Sequence, residues 1–244
     1  SELVLGDTQR KWFIETMTGS KATWKVWGNE FTLTSRVADL RPFSSLPPAF
    51  QARFLLSAED WDGVPNRRDH LLNAIADVDN VVAITGDIHA FFAGMPAPSD
   101  KPEANIVEFV TGAISSSSYK TMLTRTASAD PALDAAGAPA LALIAEDILL
   151  GGFADDPGKK PNPTLAYAAL DKMGFAVVDV DADKLQTTYF GVDGEHAKTH
   201  LGVGPGLNDK FSTTTFRVAA GQRTLQMQTG STWKTWDVTA AEWK

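Results

Sequence analysis

The sequence predicts a mixed α/β domain, on three observations. Short β-branched apolar runs such as Val81-Val82-Ala83-Ile84 have the length and content of strands buried inside a sheet. Other segments repeat apolar residues at helical spacing: Phe13 with Met17, and Leu71 and Leu72 with Ile75. The tail from Phe211 alternates Thr, Val, Leu and Met between turns at Gly221 and Gly230, as a β-meander does.

In order along the chain, Asp7 is placed to cap a helix running to about Thr18, with Phe13 and Met17 on one face and Trp12 beside them. Ala22 to Phe31 reads as a strand carrying Trp24, Val26 and Trp27 up to Gly28-Asn29. Residues 37 to 52, with Pro42, Pro47 and Pro48, read as a loop. Asn66 is the expected cap of the helix that holds Leu71, Leu72 and Ile75. After the strand that ends near Asp87, Ile106 to Val110 is another apolar run, leading into Thr111-Gly112 and a tract of serines. Residues 128 to 161 are rich in Ala, Gly, Pro and Asp and read as an insertion or mobile lid with one helix in its middle. Phe175 to Val180 and Leu185 to Phe190 read as an antiparallel pair around Asp181-Ala182-Asp183.

At 244 residues the chain can bury a substantial core and fits one large domain or two small ones. Its 43% apolar and 21% charged residues are ordinary for a soluble globular protein. No apolar stretch is long enough to span a membrane; the longest, Ala138 to Leu150, is interrupted by Glu146 and Asp147. The net charge of −8 argues against a protein that wraps nucleic acid. The absence of cysteine excludes disulfides, thiolate metal sites and thiol nucleophiles.

The pattern that carries chemistry is Gly86-Asp87-Ile88-His89. Gly86 lets the backbone turn as it leaves the sheet. If the chain stays extended through Ile88, Asp87 and His89 point the same way, into the crevice beyond the carboxyl end of the strand. A hard carboxylate beside an imidazole suits iron, zinc or manganese, and calcium where more oxygens join. The opposing reading is a solvated turn holding a hydrogen-bonded Asp-His pair, and the tetrapeptide alone does not choose between them.

Other candidates carry less. Asp60 and Asp62 flank Trp61 and could reach a second metal, yet Asp-x-Asp-Gly is also ordinary turn chemistry. Arg67 could pair with a phosphate bidentately, although a helix-start arginine is more often a surface or salt-bridge residue. Ser115 to Ser118 lack the Gly-x-Ser-x-Gly elbow and any evident His partner, so they read as a polar loop and a serine hydrolase is disfavoured. His196 and His200 have metal-like spacing only on a helix; the glycines around them indicate a solvated loop. His70 reads as structural. The seven tryptophans read as core, except Trp61 in a cleft.

Taken together, several blocks resemble the C-terminal portion of PhoD-like alkaline phosphatases, a branch of the calcineurin-like metallophosphoesterases. They are Leu5-Gly6-Asp7-Thr8-Gln9 with Trp12, then Ala22-Thr23-Trp24-Lys25-Val26-Trp27-Gly28-Asn29, then Asp60-Trp61-Asp62-Gly63 with Arg67. Asn80 to Gly86-Asp87-Ile88-His89, Val107 to Thr111 with the serine tract, and Asn162-Pro163 ahead of Gly174 to Asp179 complete the series. Val64 departs from the aromatic common in the family. Gly28-Asn29 resembles the Gly-Asn motif of metallophosphoesterases, but Glu30-Phe31 replace its completing residue, so a turn role is equally open.

The resemblance implies a metallophosphoesterase-like β-sandwich flanked by helices. Residues 1–200 would form the C-terminal part of that domain and 201–244 a β-meander extension of it. It implies hydrolysis of phosphate mono- or diesters, with Asp87 a metal ligand, His89 a ligand or a donor to the phosphate or leaving oxygen, and Trp61, Asp62 and Arg67 near the substrate. Iron and calcium are the implied metals, zinc or manganese the alternatives, and a periplasmic or secreted setting the implied location. Nucleic acid enters only as a substrate. The upstream motifs that supply most ligands, of Gly-Asp-x-x-Tyr and Trp-Asp-Asp-His type, do not occur here. Two ligands do not make a tight site. The expectation is a chain inactive alone, needing an N-terminal segment of the same enzyme as a separate chain. The alternative is a non-catalytic α/β binding module that kept the scaffold.

Overall fold

The computed structural model describes residues 4–154, 160–197 and 209–244. Apolar strands build a five-stranded sheet from β1 (Lys25–Asn29), β4 (Val81–Thr85), β6 (Val107–Val110), β5 (Phe91–Gly94) and β7 (Leu165–Ala169), in that order. The first three run parallel, and β5 is antiparallel to both of its neighbours. A six-stranded antiparallel sheet contains β8 (Lys172–Val180), β9 (Lys184–Asp193), β10 (Ser212–Ala219), β11 (Gln226–Thr229), β12 (Thr232–Asp237) and β13 (Glu242–Trp243). A separate two-stranded ladder pairs β2 (Val37–Asp39) with β3 (Arg53–Leu55).

The period-two alternation of strand side chains decides the layers. Val82, Phe91, Val107 and Phe109 turn towards Leu185, Tyr189, Phe216 and Val218 of the second sheet, closing a sandwich core. Tyr189 sits at its centre, 4.9 Å from the Phe91 ring and 5.4 Å from Phe216. Its hydroxyl donates to the Phe92 carbonyl at 2.6 Å, and burial pushes the phenol well above its ordinary pKa, so it stays a donor. One residue out of phase, Val81 and Ala83 face α1 (Asp7–Gly19) and α2 (Pro65–Ala74) through Phe13, Met17, Leu71, Leu72 and Ile75. Phe92, Val110 and Leu165 face Tyr119, Ala145 and Leu149 of α3 (Tyr119–Ala129) and α6 (Ala145–Leu149). Each large side chain so buried contributes about 1.5–3 kcal/mol. The result is the expected α/β architecture, a sandwich with helices on the outer face of one sheet.

Several local expectations need correction. Gly6, not Asp7, stands at the cap of α1; Asp7 is its first residue and pairs with Arg10 at 2.7 Å. Pro65 opens α2, so Asn66 lies inside it, because proline's missing N–H costs nothing in a first turn. The strand at 22–31 shortens to Lys25–Asn29, and Trp12 is 61% exposed. The stretch 37–52 is not all loop, since β2 lies within it. Within 128–161, where one helix was expected, three short ones follow the end of α3: α4 (Pro131–Ala135), α5 (Ala138–Leu143) and α6. Strands β5 and β7 are not apparent from sequence pattern. His196 lies in the short α7 (Gly194–Ala197) rather than in a loop, while His200 falls outside the described residues. The expected meander is present as β10 to β13.

Candidate functional site

The carboxyl ends of β1 and β4 lie side by side, with Asn29 and Thr85 in register. Past Thr85 the chain does not stay extended. Asp87 has φ 65° and His89 φ 59°, and the Ile88 N–H donates to the Gly86 carbonyl at 2.7 Å. The left-handed region costs a non-glycine residue roughly 1–2 kcal/mol, so two such residues in three need outside support. They have it on the His89 side. The Tyr119 N–H donates to the His89 carbonyl at 2.9 Å, and His89 Nδ1 lies 3.0 Å from the Ser117 carbonyl oxygen. A carbonyl only accepts, so Nδ1 must carry a hydrogen, which leaves Nε2 with the lone pair in the neutral ring. Nε2 meets no hydrogen-bonding partner among the described residues.

Asp87 is exposed and likewise has no partner among the described residues. It lines a cavity of about 160 Å³ together with the acidic residues Glu30, Glu59 and Asp60, the last with its carboxylate turned to Arg36. The His89 ring, turned towards Ser117, is not part of that lining. Asp87 and His89, one residue apart, are thus each presented from a left-handed position on either side of Ile88, not along one extended face.

Near this cavity the carboxylates are densely hydrogen-bonded, although Arg36 Nε and Nη1 and Arg68 Nε are buried without a hydrogen-bond acceptor among the described residues. Glu108 is 0% exposed on β6, and its carboxylate accepts from Leu33 N at 2.9 Å, Thr34 N at 2.7 Å, Thr34 Oγ1 at 2.7 Å and Thr85 Oγ1 at 2.7 Å. Asp60 pairs with the buried Arg36 guanidinium and also accepts from Asp62 N at 2.9 Å, capping the short turn Trp61–Gly63. Burial raises the Asp60 carboxyl above its ordinary pKa, and the Arg36 charge pulls it part of the way back. Asp62 accepts from Arg36 N at 2.8 Å and from Arg68 Nη1 at 3.2 Å. Glu108, Arg36 and Arg68 escape sequence reasoning, although a lone carboxylate inside Ile106 to Val110 is a visible signal of a buried hydrogen-bond hub.

The three residues expected near substrate are not gathered at Asp87. Asp62 is held inward by the two arginines. Trp61 is 1% exposed, packs edge-on against Trp27 at 6.4 Å, and lines a larger groove of about 470 Å³ between α1 and β1. That groove is mostly apolar, with Trp12, Met17 and Val26 on its walls and Glu30 its one acidic lining residue, while the smaller cavity is lined by four acidic residues. Glu30 and Phe31 line both, so the two are contiguous. Arg67 is half-buried at the start of α2 and lines neither; its side chain has no partner among the described residues. Among the described residues no three His, Asp or Glu side chains converge to hold a metal ion, so this donor set does not by itself fit one.

Known proteins resemble this chain in sequence and in fold. The family model for PhoD-like phosphatases matches residues 1–189. Alkaline phosphatase D of Bacillus subtilis (strain 168) is 29% identical over 118 residues, covering 46% of this chain and 18% of that protein. A solved structure of PhoD superposes with a TM-score of 0.55 at 18% identity, covering 93% of this chain and 36% of that one; at this identity the likeness is one of fold. The chain therefore spans well under two thirds of the length of either relative.

Proposed function

The chain belongs to the PhoD-like phosphatase family, and on that premise we propose that it supplies Asp87 and His89 to the active site of a metal-dependent phosphate-ester hydrolase completed by another segment of the same enzyme. One observation carries this reading: two ionisable side chains at a strand end, on strained backbone, with Asp87 and His89 Nε2 unpartnered among the described residues. A chain selected only for stability has no use for that arrangement, and strain of this kind collects at functional sites.

His89 Nε2 offers a lone pair when the ring is neutral and a hydrogen bond to a phosphoryl or leaving oxygen when it is protonated. Asp87 offers two acceptor oxygens beside the acidic cavity. Iron and calcium, with zinc or manganese as alternatives, remain the metals that the family resemblance points to, in a periplasmic or secreted setting. Most of their ligands would come from the other segment, and this chain alone would be inactive. β1 supports that segment's docking. It is an edge strand of its sheet, flanked by the apolar groove whose walls include half-exposed Val26, exposed Trp12 and the unpartnered Trp61 Nε1. An open edge beside apolar surface is the kind of place where a further strand adds.

The test is hydrolysis of an aryl phosphate by this chain assembled with a segment bearing the two upstream motifs. His89→Ala is expected to lower the rate about 100-fold or more. Activity kept within about twofold by that variant would remove His89 from the site.

A further inference from the structure

The serine tract after β6 has no role in the chemistry described so far, yet it grips His89 from two sides. The Ser117 carbonyl holds Nδ1 of the ring at 3.0 Å, and the Tyr119 N–H holds the His89 carbonyl at 2.9 Å. Ser118, between them, is 2% exposed, and its hydroxyl donates to Asp171 Oδ1 at 2.8 Å. The same hydroxyl lies 2.9 Å from Thr121 Oγ1 and accepts from Thr121 N at 3.3 Å, capping α3. Asp171 is anchored in turn: its carbonyl accepts from Gly194 N at 2.8 Å, and Lys120 Nζ lies 3.7 Å from its carboxylate. The next residue, Lys120, donates its N–H to Leu170 at 3.0 Å.

We propose that Ser118 and Asp171 are positioning residues for His89: Asp171 fixes the Ser118 hydroxyl, Ser118 fixes the peptide that presents the Ser117 carbonyl, and that carbonyl holds the imidazole as its Nδ1–H tautomer with Nε2 turned free. The proposal rests on the reading of His89 as a functional group, and it explains why a loop of small polar residues stands where no nucleophile is needed. Without the clamp, a half-buried ring at a left-handed turn can rotate about its side-chain bonds and exchange its proton between nitrogens. Orienting an imidazole through a hydrogen bond from its other nitrogen is a general way to fix which nitrogen faces the chemistry.

The readout is the pair of imidazole nitrogen shifts of His89 in the ¹⁵N-labelled chain at a pH where the ring is neutral, with the resonances assigned by comparison with His89→Gln. The native chain is expected to show the Nδ1–H form, with well-separated shifts. Ser118→Ala and Asp171→Ala should both draw the two shifts together as the tautomers mix, whereas Ser118→Thr, which keeps the hydroxyl, should restore the separation. Asp171 is 41% exposed at its side chain, so its truncation tests the idea even if Ser118→Ala does not fold. A native Nε2–H form, or an Asp171→Ala spectrum identical to the native one, would overturn the proposal. Aryl-phosphate hydrolysis by the assembled enzyme separates the two readings. A clamped tautomer without activity would leave the positioning intact and count against the hydrolase.

Discussion

Two carboxylates on neighbouring strands and their extensions have opposite circumstances. Glu108, on β6, is wholly buried and accepts four hydrogen bonds, two of them from backbone N–H groups. Asp87, just beyond β4, is exposed, left-handed, and has no partner among the described residues. Glu108 is saturated by its own chain and ties the loop at Leu33-Thr34 to the ends of β4 and β6. Asp87 is held in place while its acceptor capacity is left unused. The contrast separates a residue that makes the fold from one that the fold presents.

The largest break in that contrast comes from Glu108→Ala, which strands four buried donors at about 1–3 kcal/mol each. A loss of about 4 kcal/mol or more in urea denaturation is expected; a loss under about 1 kcal/mol would mean that water replaces the carboxylate. Arg36→Met should follow at about 3 kcal/mol, since it leaves Asp60 buried without its counter-charge. Protonation of Asp60, whose carboxyl burial already raises, offsets part of that cost. Asp87→Gly should sharpen the comparison from the other side. Relief of the left-handed strain works against glycine's greater unfolded freedom, so stability stays level or rises by up to about 1 kcal/mol. Hydrolysis by the assembled enzyme should nonetheless collapse.

The smallest effect concerns Asp39, whose carboxyl is held far below its ordinary value chiefly by the Arg41 hydrogen bond, with Arg53 adding to it. A carboxyl lowered in the folded state stabilises above its unfolded pKa and loses that contribution as pH falls towards its folded one. The gap in stability between the native chain and Asp39→Asn should therefore shrink below about pH 4, from a starting value under about 1 kcal/mol because both arginine partners are half-exposed.

The sequence shows clearly those parts whose pattern is local. Val81 to Ile84 is a β-branched apolar run, β9 of the β8–β9 hairpin alternates, and Leu71, Leu72 and Ile75 follow one helix face. β5 and β7 are short and rich in Ala and Gly, so their strand state is decided by the ladder between them, residues far apart in sequence. The Gly-Asp-Ile-His motif points to the candidate site, but its left-handed backbone is held by Ser117 and Tyr119, nearly thirty residues away. Glu108 is hidden for the same reason: its partners at Leu33 and Thr34 lie 75 and 74 residues from it.

The most direct test of the central claim is a count of iron, calcium and zinc bound per chain when this chain is expressed and purified alone, then again after assembly with the segment carrying the upstream motifs. Far less than one metal per chain alone, rising to near-stoichiometric loading in the assembly, is the expected result, because Asp87 and His89 make too small a ligand set by themselves. Near-stoichiometric metal on the folded chain alone would contradict it.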